Sequence, residues 1–241
     1  MTNVVILAAN DATDPDDAGY PVCLTEFGNS TLLETVSNQV ATIDNSKLVI
    51  ALREGDVRKW HLEDLVKNFK VPSSLFSVAA ETAGATCTAL LVTASMEPDE
   101  PLLVLNGNEH LAVDFAAIIK EFEETNVDAG VVYFDSLHPR YSYARLDDNG
   151  LVLETAEKRP ISRNATVGFY WFRQASVFTK NAARQLLKRA DVDHRYYICP
   201  VMNEVILAGG LVKAVRIESS QFVPLKTRRQ LSNYGQIKDH T

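Results

Sequence analysis

The sequence predicts an α/β fold in which a mainly parallel central sheet is covered by helices on both faces. Three observations predict it. Short, continuous apolar runs recur in the first half: NVVILAA at residues 3–9, KLVIAL at 47–52 and PLLVL at 101–105. Such runs suit strands buried on both faces, as in a parallel sheet. Helix-patterned segments lie between them, and this strand–helix alternation at short spacing is what crossover connections require. Finally, at 241 residues the chain can bury a core without disulfide or metal staples; a domain of this size covers roughly 70–75% of its unfolded surface.

The elements follow in order. Asn3–Ala9 reads as the first strand, with a polar loop over Asn10–Tyr20 behind it. Ser30 or Asn29 can cap a helix running through Val40, with Glu34 in its first turns. Lys47–Leu52 reads as the second strand. Val57–Phe69 reads as one amphipathic helix with Trp60, Leu62, Leu65 and Val66 near one face. Ser74–Ala80 is a weakly patterned third strand. Thr82–Ala85 opens a helix to about Ala94. Pro101–Leu105 is a strand closed by Asn-Gly, and Leu111–Glu124 is a helix. In the second half Gly130–Phe134 is a strand, and Tyr141–Leu146 pairs with Leu151–Glu157 as a hairpin about Asp148–Gly150. Thr166–Phe172 is an aromatic-dense strand and Val177–Arg189 a helix. Tyr196–Leu207 reads as helical with a break near Pro200, and Leu211–Ile217 as the last strand. The polar tail after Leu231 is expected to fray. There are no repeats and no linker, so 1–241 is expected to form one domain.

Composition excludes several function classes. Apolar residues make up 46% and charged residues 23%, which is ordinary for a globular chain. Lys plus Arg number 24 against 31 Asp plus Glu, a formal charge of −7, and the pI is about 5.3. A duplex-binding protein needs a basic face, so nucleic acid is not an expected partner. No run reaches the roughly 18–20 apolar residues of a membrane helix. The start, MTNVVILAAND, lacks a basic segment and is not expected to act as a secretory signal. Cys23, Cys87 and Cys199 are far apart and odd in number. They read as reduced thiols of a cytoplasmic protein, without a CxxC or zinc pattern.

Ligands of open parallel sheets sit beyond the carboxyl ends of the strands. The loops Asn10–Tyr20, Glu81–Ala85 and Asn106–His110 are therefore expected to gather at one edge. Five segments, in order, carry a family resemblance: VVILAAN with AGYPVCLTEFGNSTLLETV, ETAGATCTALL, PLLVLNGNEHL, HPRYSYARLDDNGLVLETAEKRPISRNATVGFYWF, and YYICPVMNEVI. Over about residues 3–227 the chain resembles the sugar-phosphate nucleotidylyltransferases. The resemblance implies a Rossmann-like α/β/α sandwich of the nucleotide-diphospho-sugar transferase type, with a nucleotide-binding half at 1–125 and an acceptor-binding half at 126–230. It implies transfer of a nucleotidyl group from a nucleoside triphosphate to a sugar phosphate or other phosphomonoester, with release of pyrophosphate and Mg²⁺ as cofactor. The setting would be capsule or cell-surface carbohydrate biosynthesis. CTP is the preferred donor from the resemblance alone, and a homo-oligomer is left open.

The same resemblance assigns residues. Leu7, Ala8, Ala9, Asn10, Thr82, Gly84, Ala85 and Asn106 would contact the nucleotide. Glu157, Lys158, Thr166, Gly168 and Asn203 would hold the acceptor. Asn108 and Lys158 would be catalytic, and Asn108 would approach the metal; Asp11 joins it as a carboxylate of the acidic loop, since carboxylates suit hard cations. Read locally, Thr82 is equally a helix cap and Asn203 equally a satisfied core amide. His110 reads as an exposed loop histidine or as one within reach of a phosphate, and His138 as a turn residue before Pro139.

The departures from the family pattern are concentrated. Its first loop reads Gly-x-Gly-x-Arg, whose backbone and guanidinium take the triphosphate, whereas this chain has Asn10-Asp11-Ala12-Thr13-Asp14-Pro15-Asp16-Asp17. Val22 stands for the family's lysine and Cys23 for a proline. Asn108 stands for the metal-binding aspartate, and the second metal ligand expected near Pro224 is not evident. The acidic loop reads as a solvated surface, a metal-recruiting loop or a degenerate phosphate site. Two other functions follow as alternatives: an inactive nucleotide-binding relative, or a glycosyltransferase of the same fold.

Overall fold

The computed structural model describes residues 1–9 and 21–225; Asn10–Tyr20 and the tail after Leu231 lie outside the described residues. The strands are β1 (Thr2–Leu7), β2 (Glu26–Phe27), β3 (Ser30–Thr31), β4 (Ser46–Arg53), β5 (Ser73–Val78), β6 (Leu102–Asn106) and β7 (Glu109–Leu111). They continue with β8 (Ala129–Asp135), β9 (Ser142–Leu146), β10 (Val152–Ala156), β11 (Asn164–Phe172), β12 (Val212–Arg216) and β13 (Phe222–Pro224). The helices are α1 (Leu32–Val40), α2 (Glu54–Lys59), α3 (Leu62–Val66), α4 (Ala85–Thr93), α5 (Phe115–Glu124), α6 (Ala175–Leu187) and α7 (Val201–Leu207).

Nine strands from both halves of the chain share one sheet. β5, β4, β1 and β6 lie side by side and parallel. β11 runs antiparallel between β6 and β8, and β12 adds parallel to β8. The sheet is therefore mainly parallel with one reversed central strand. The β9–β10 hairpin joins the front of β11 through Ala165↔Tyr143 and Thr166↔Ser142.

Side chains alternate across this sheet, as strand geometry demands. Val4 and Ile6 of β1 pack with α1, α2, α3 and α5 through Leu33, Val36, Val57, Leu62, Ile118 and Phe122. Val5 and Leu7 face the opposite side, where α4, α6 and α7 bring Ala89, Val92, Phe178, Ala182, Met202 and Val205. The result is the expected three-layer α/β/α sandwich. Burial of the strands on both faces explains why they read as unbroken apolar runs.

The structure corrects several local expectations. The cap of α1 is Thr31: its hydroxyl accepts from Glu34 N–H at 3.1 Å, and the Glu34 carboxylate accepts from Thr31 N–H at 2.6 Å. The helix expected over Val57–Phe69 is two short helices parted at His61, whose φ is 49°. Leu111 ends a short strand, and the helix begins only after the Asp114 cap. Tyr196–Pro200 is not helical, and α7 starts at Val201. The small β7–β13 and β2–β3 pairings went unforeseen.

Candidate active site

The last residues of four parallel strands, Leu7, Arg53, Val78 and Asn106, line one cleft of about 920 Å³. The loops behind them supply Ala9, Glu54–Asp56, Ala79–Thr82, Gly84, Ala85, Asn108 and Glu109. The second half contributes the other wall: Arg140–Ser142, Glu157, Lys158, Thr166–Gly168, Tyr170, Arg195 and Tyr197. Of the residues singled out from sequence, Leu7, Ala9, Thr82, Gly84, Ala85, Asn106, Asn108, Glu157, Lys158, Thr166 and Gly168 meet here. Ala8 is not among the lining residues; it packs against the core below. Asn10 and Asp11 lie outside the described residues.

Asn203 is a correction. Its Oδ1 accepts from Thr155 N–H at 2.7 Å and its Nδ2 donates to Thr155 O at 2.8 Å, so both ends of the amide clamp α7 onto β10. It does not line the cleft. A buried backbone edge outside a ladder needs such a partner, and Asn can satisfy donor and acceptor together.

The cleft floor is built where β11 changes neighbours. Against β8, Thr166 pairs with Tyr133 but Tyr170 pairs with Val131, so two extra residues bulge out between them. Before the bulge β11 pairs with β9; after it, with β6. Gly168 sits in the bulge, and its N–H donates to the carboxylate of Glu109. Glu109 Oε1 also accepts from Asn106 Nδ2 at 3.3 Å, and the residue is 4% exposed. A Cβ at position 168 would collide with Glu109 Oε1 and the Asn106 amide. The glycine is thus required by the protein's own side chains.

Gly84 has a similar role elsewhere. Its φ is +124°, and a Cβ there would lie 2.5 Å from Tyr196 O and 2.6 Å from Tyr196 N. Ala83 O accepts from Tyr196 N–H at 2.8 Å, and Thr86 N–H donates to Tyr196 O at 3.0 Å. The loop before α4 is therefore stitched to the second half of the chain. Thr82 is not the helix cap: its hydroxyl lies 3.1 Å from Gly84 O and 2.7 Å from Thr88 Oγ1, and Gly84 is the N-cap.

Among the described residues, four cationic side chains and five carboxylates line the cleft. Lys158 has φ 52° and its Nζ donates to Tyr197 Oη at 2.8 Å and to Asp193 Oδ2 at 3.3 Å. The Tyr197 hydrogen bond, with Asp193, raises its affinity for the proton, so the side chain is an ammonium at neutral pH. Arg195 pairs with Glu81 at 2.8 Å across the cleft mouth. Arg53 ends β4 and Arg140 precedes β9. Burial pushes the Asp56 carboxyl up, against the pull of Arg53 and Lys59. Burial also drives the Tyr170 phenol well up, helped by Cys199, Glu157 and Glu109, so it stays neutral. On the wall from the second half the Ser142 hydroxyl donates to the Glu157 carboxylate.

Arg53, Glu109, Arg140, Ser142, Arg195 and Tyr197 were not singled out from sequence. The strand-end rule would have found Arg53, which directly follows the apolar run KLVIAL. The loop residues of the second wall arrive through long-range strand register and carry no local signal.

A hard cation needs several oxygen ligands, usually carboxylates. No group of three or more His, Cys, Asp or Glu is placed to hold a metal among the described residues. The two positions named by the resemblance do meet: Leu225 N–H donates to Asn108 O at 2.9 Å, and Pro224 is registered opposite Glu109. They bring one neutral amide and an imino acid, while Glu109 is engaged with Gly168. The described residues therefore do not fit a protein-held Mg²⁺. Val22, in the family's lysine position, packs against the core.

Residues 23–202, well over half of the chain, match the nucleotidyl transferase family. No curated protein sequence matches the chain. Among solved structures, the nucleoside-diphosphate-sugar pyrophosphorylase from Vibrio cholerae RC9 superposes with a TM-score of 0.83 at 16% identity, covering 98% of this chain and 100% of that one. A candidate glucose-1-phosphate thymidylyltransferase from Bacillus anthracis, in complex with a sucrose, gives 0.75 at 18% identity over 98% and 95% of the two chains. CMP:2-keto-3-deoxy-manno-octonic acid synthetase complexed with CTP gives 0.70 at 12% identity over 100% and 99%. At these identities the likeness is one of fold.

Proposed function

The chain belongs to the nucleotidyl transferase family, and from that premise we propose that it joins a nucleoside triphosphate to a phosphorylated small molecule. The observation that carries this reading is the shared cleft. The ends of β1, β4, β5 and β6 face Glu157 and Lys158 across it. The acceptor's phosphate oxygen attacks the α-phosphorus, the bond from the α-phosphorus to the bridging oxygen breaks, and pyrophosphate leaves with the electron pair. Such chemistry needs alignment and charge neutralisation more than a protein nucleophile.

In this reading Ala9, Thr82, Gly84, Ala85 and Asn106 flank the base and ribose. Lys158 neutralises acceptor phosphate as a point charge, and Glu157 accepts a sugar hydroxyl. Asn108 lies beside the reacting phosphates. Mg²⁺ enters as the counter-ion of the triphosphate, part of the substrate. A sugar phosphate is the favoured acceptor and CTP the first donor to test, with carbohydrate assembly as the setting.

A second reading, a relative that binds nucleotide without turning it over, is favoured by one observation: neither Asn108 nor Pro224 brings a carboxylate. A pyrophosphate-release screen of four triphosphates against a panel of sugar phosphates, with Mg²⁺ and with chelator, separates the two. Release with one donor–acceptor pair in Mg²⁺ is expected. Nucleotide binding without release from any pair would establish the second reading.

A further inference from the structure

The loop from Ser136 to Arg140 contains machinery that the reading above leaves unused. Arg140 lines the acceptor side of the cleft. Lys158 and Arg195 each share their charge with a carboxylate, Asp193 at 3.3 Å and Glu81 at 2.8 Å. Arg140 has an imidazole partner instead. Its backbone N–H and its Nε–H both donate to His138 Nδ1, at 3.3 Å each. The guanidinium carbon also stands 5.4 Å from the centre of the Tyr141 ring. Held at Nε and over the ring, the side chain keeps its Nη donors for a ligand.

The support beneath it is fixed. His138 N–H donates to Ser136 Oγ at 3.2 Å, and His138 O accepts from Tyr143 Oη at 2.6 Å and from Tyr141 N–H at 3.2 Å. Tyr143 is fully buried, Tyr141 packs on Phe134 and Phe222, and Pro139 restricts the chain between His138 and Arg140. Lys158 N–H donates to Tyr141 O at 3.1 Å. The backbones of the two cations are therefore one residue apart across this hydrogen bond.

We infer that Arg140 is a second cation for the acceptor's phosphate, and that His138 is the positioning residue that aims it. The inference rests on the nucleotidyl-transfer reading and names how that site recognises its acceptor. A phosphomonoester carries about −1.5 to −2 charges at neutral pH, while the single charge of Lys158 is shared with Asp193. A guanidinium adds what an ammonium cannot, a planar fork that bonds two phosphate oxygens at once. His138 Nδ1 accepts from both Arg140 donors, and an asparagine Oδ1 occupies nearly the same place and accepts likewise.

The test titrates inorganic phosphate and α-D-glucose 1-phosphate into the protein, followed by ³¹P NMR, for the wild type and for R140A, R140K, H138A and H138N. R140A is expected to weaken both probes at least tenfold. R140K should recover only part of the loss, since lysine has neither the fork nor the Nε–H that His138 accepts. H138A should weaken binding three- to tenfold and H138N should restore it, which a merely structural histidine would not do. Triphosphate affinity should not move in any of them. Wild-type affinity in R140A, or no binding of either probe to the wild type, would overturn the inference. H138N behaving as H138A would remove the positioning role. The pyrophosphate-release screen judges the transfer reading separately, so loss of that reading and loss of this contact give different results.

Discussion

Cys23 and Cys199 are 2% and 1% exposed, and burial pushes each thiol from 9.0 up to about 12, with Asp56 beside Cys23 and Glu157 near Cys199 adding to the shift. Cys87, half-buried at the start of α4, is raised by burial as well. A buried, protonated thiol is inert. Ellman's reagent at pH 8 should therefore find one reacting thiol in the native protein, and none in C87S. The same shifts fix a sign in stability. The unfolded chain gives up these protons near pH 9, while the folded chain holds them to about 12. Stability is complete below pH 9 and falls as pH rises through this window, by up to ~1.4 kcal/mol per unit for each thiol. Urea midpoints at pH 8 and pH 10 should differ less in C23A than in the wild type; an unchanged slope would contradict the assignment. Lys158 makes a separate prediction. K158A should raise the acceptor KM or lower turnover tenfold or more, at least ~1.4 kcal/mol, with the triphosphate KM unchanged. Its exposed pair with Asp193 contributes little to folding, so Tm should hold.

Helix ends and breaks show where local sequence suffices and where it does not. Thr31 and Glu34 close a reciprocal cap on α1, and T31A should lower stability by ~1 kcal/mol, read as a urea midpoint shift with m unchanged. The residues of this cap are visible in the sequence, although the cap falls one residue later than Ser30. The break between α2 and α3 has no Gly or Pro to announce it. Its cause is packing: Val57 and Leu62 are both buried, yet five residues advance a straight helix by about 500°, which would turn Leu62 some 140° away from Val57. The left-handed turn at His61 brings it back. Since His61 is exposed with φ 49°, H61G should stabilise the protein by a few tenths to ~1 kcal/mol; a loss would mean that the His61 side chain matters to this turn. The candidate site divides in the same way. Strand-end logic found Leu7, Thr82–Ala85 and Asn106 because apolar runs mark their own ends. Arg140 and Arg195 reach the cleft only through the β9–β11 register and the docking of Tyr196, which no local pattern encodes. Asn203 looked like a ligand contact because its partner, the Thr155 backbone, lies 48 residues away.

At the scale of the whole molecule, the cleft is one object made by two halves of the chain, and the Ala83–Thr86 contact with Tyr196 is where they are fastened above the sheet. Glu81 and Arg195 repeat the connection with opposite charges at 2.8 Å, but this pair is exposed and worth little alone. Gly84 is the position on which the fastening depends. Its backbone lies in a region open essentially to glycine, where another residue costs about 1–3 kcal/mol. Its missing Cβ leaves room for the Tyr196 peptide at 2.5 Å, an overlap with backbone that no rotamer change relieves. G84A should therefore cost ~2–4 kcal/mol by strain and overpacking together, or release the loop from Tyr196 at the cost of both hydrogen bonds. In either case the wall from the first half moves relative to the wall from the second, and with them the two proposed subsites. The triphosphate KM and the acceptor KM should rise together, unlike K158A, where the triphosphate KM stays unchanged. E81A, which removes the charge pair and keeps the backbone contact, should leave both within about twofold, since an exposed pair contributes at most ~1 kcal/mol. Steady-state constants for the three variants, with thermal melts of each, test this directly. A G84A protein with wild-type Tm and unchanged constants for both substrates would show that the two walls are not mechanically joined at Tyr196.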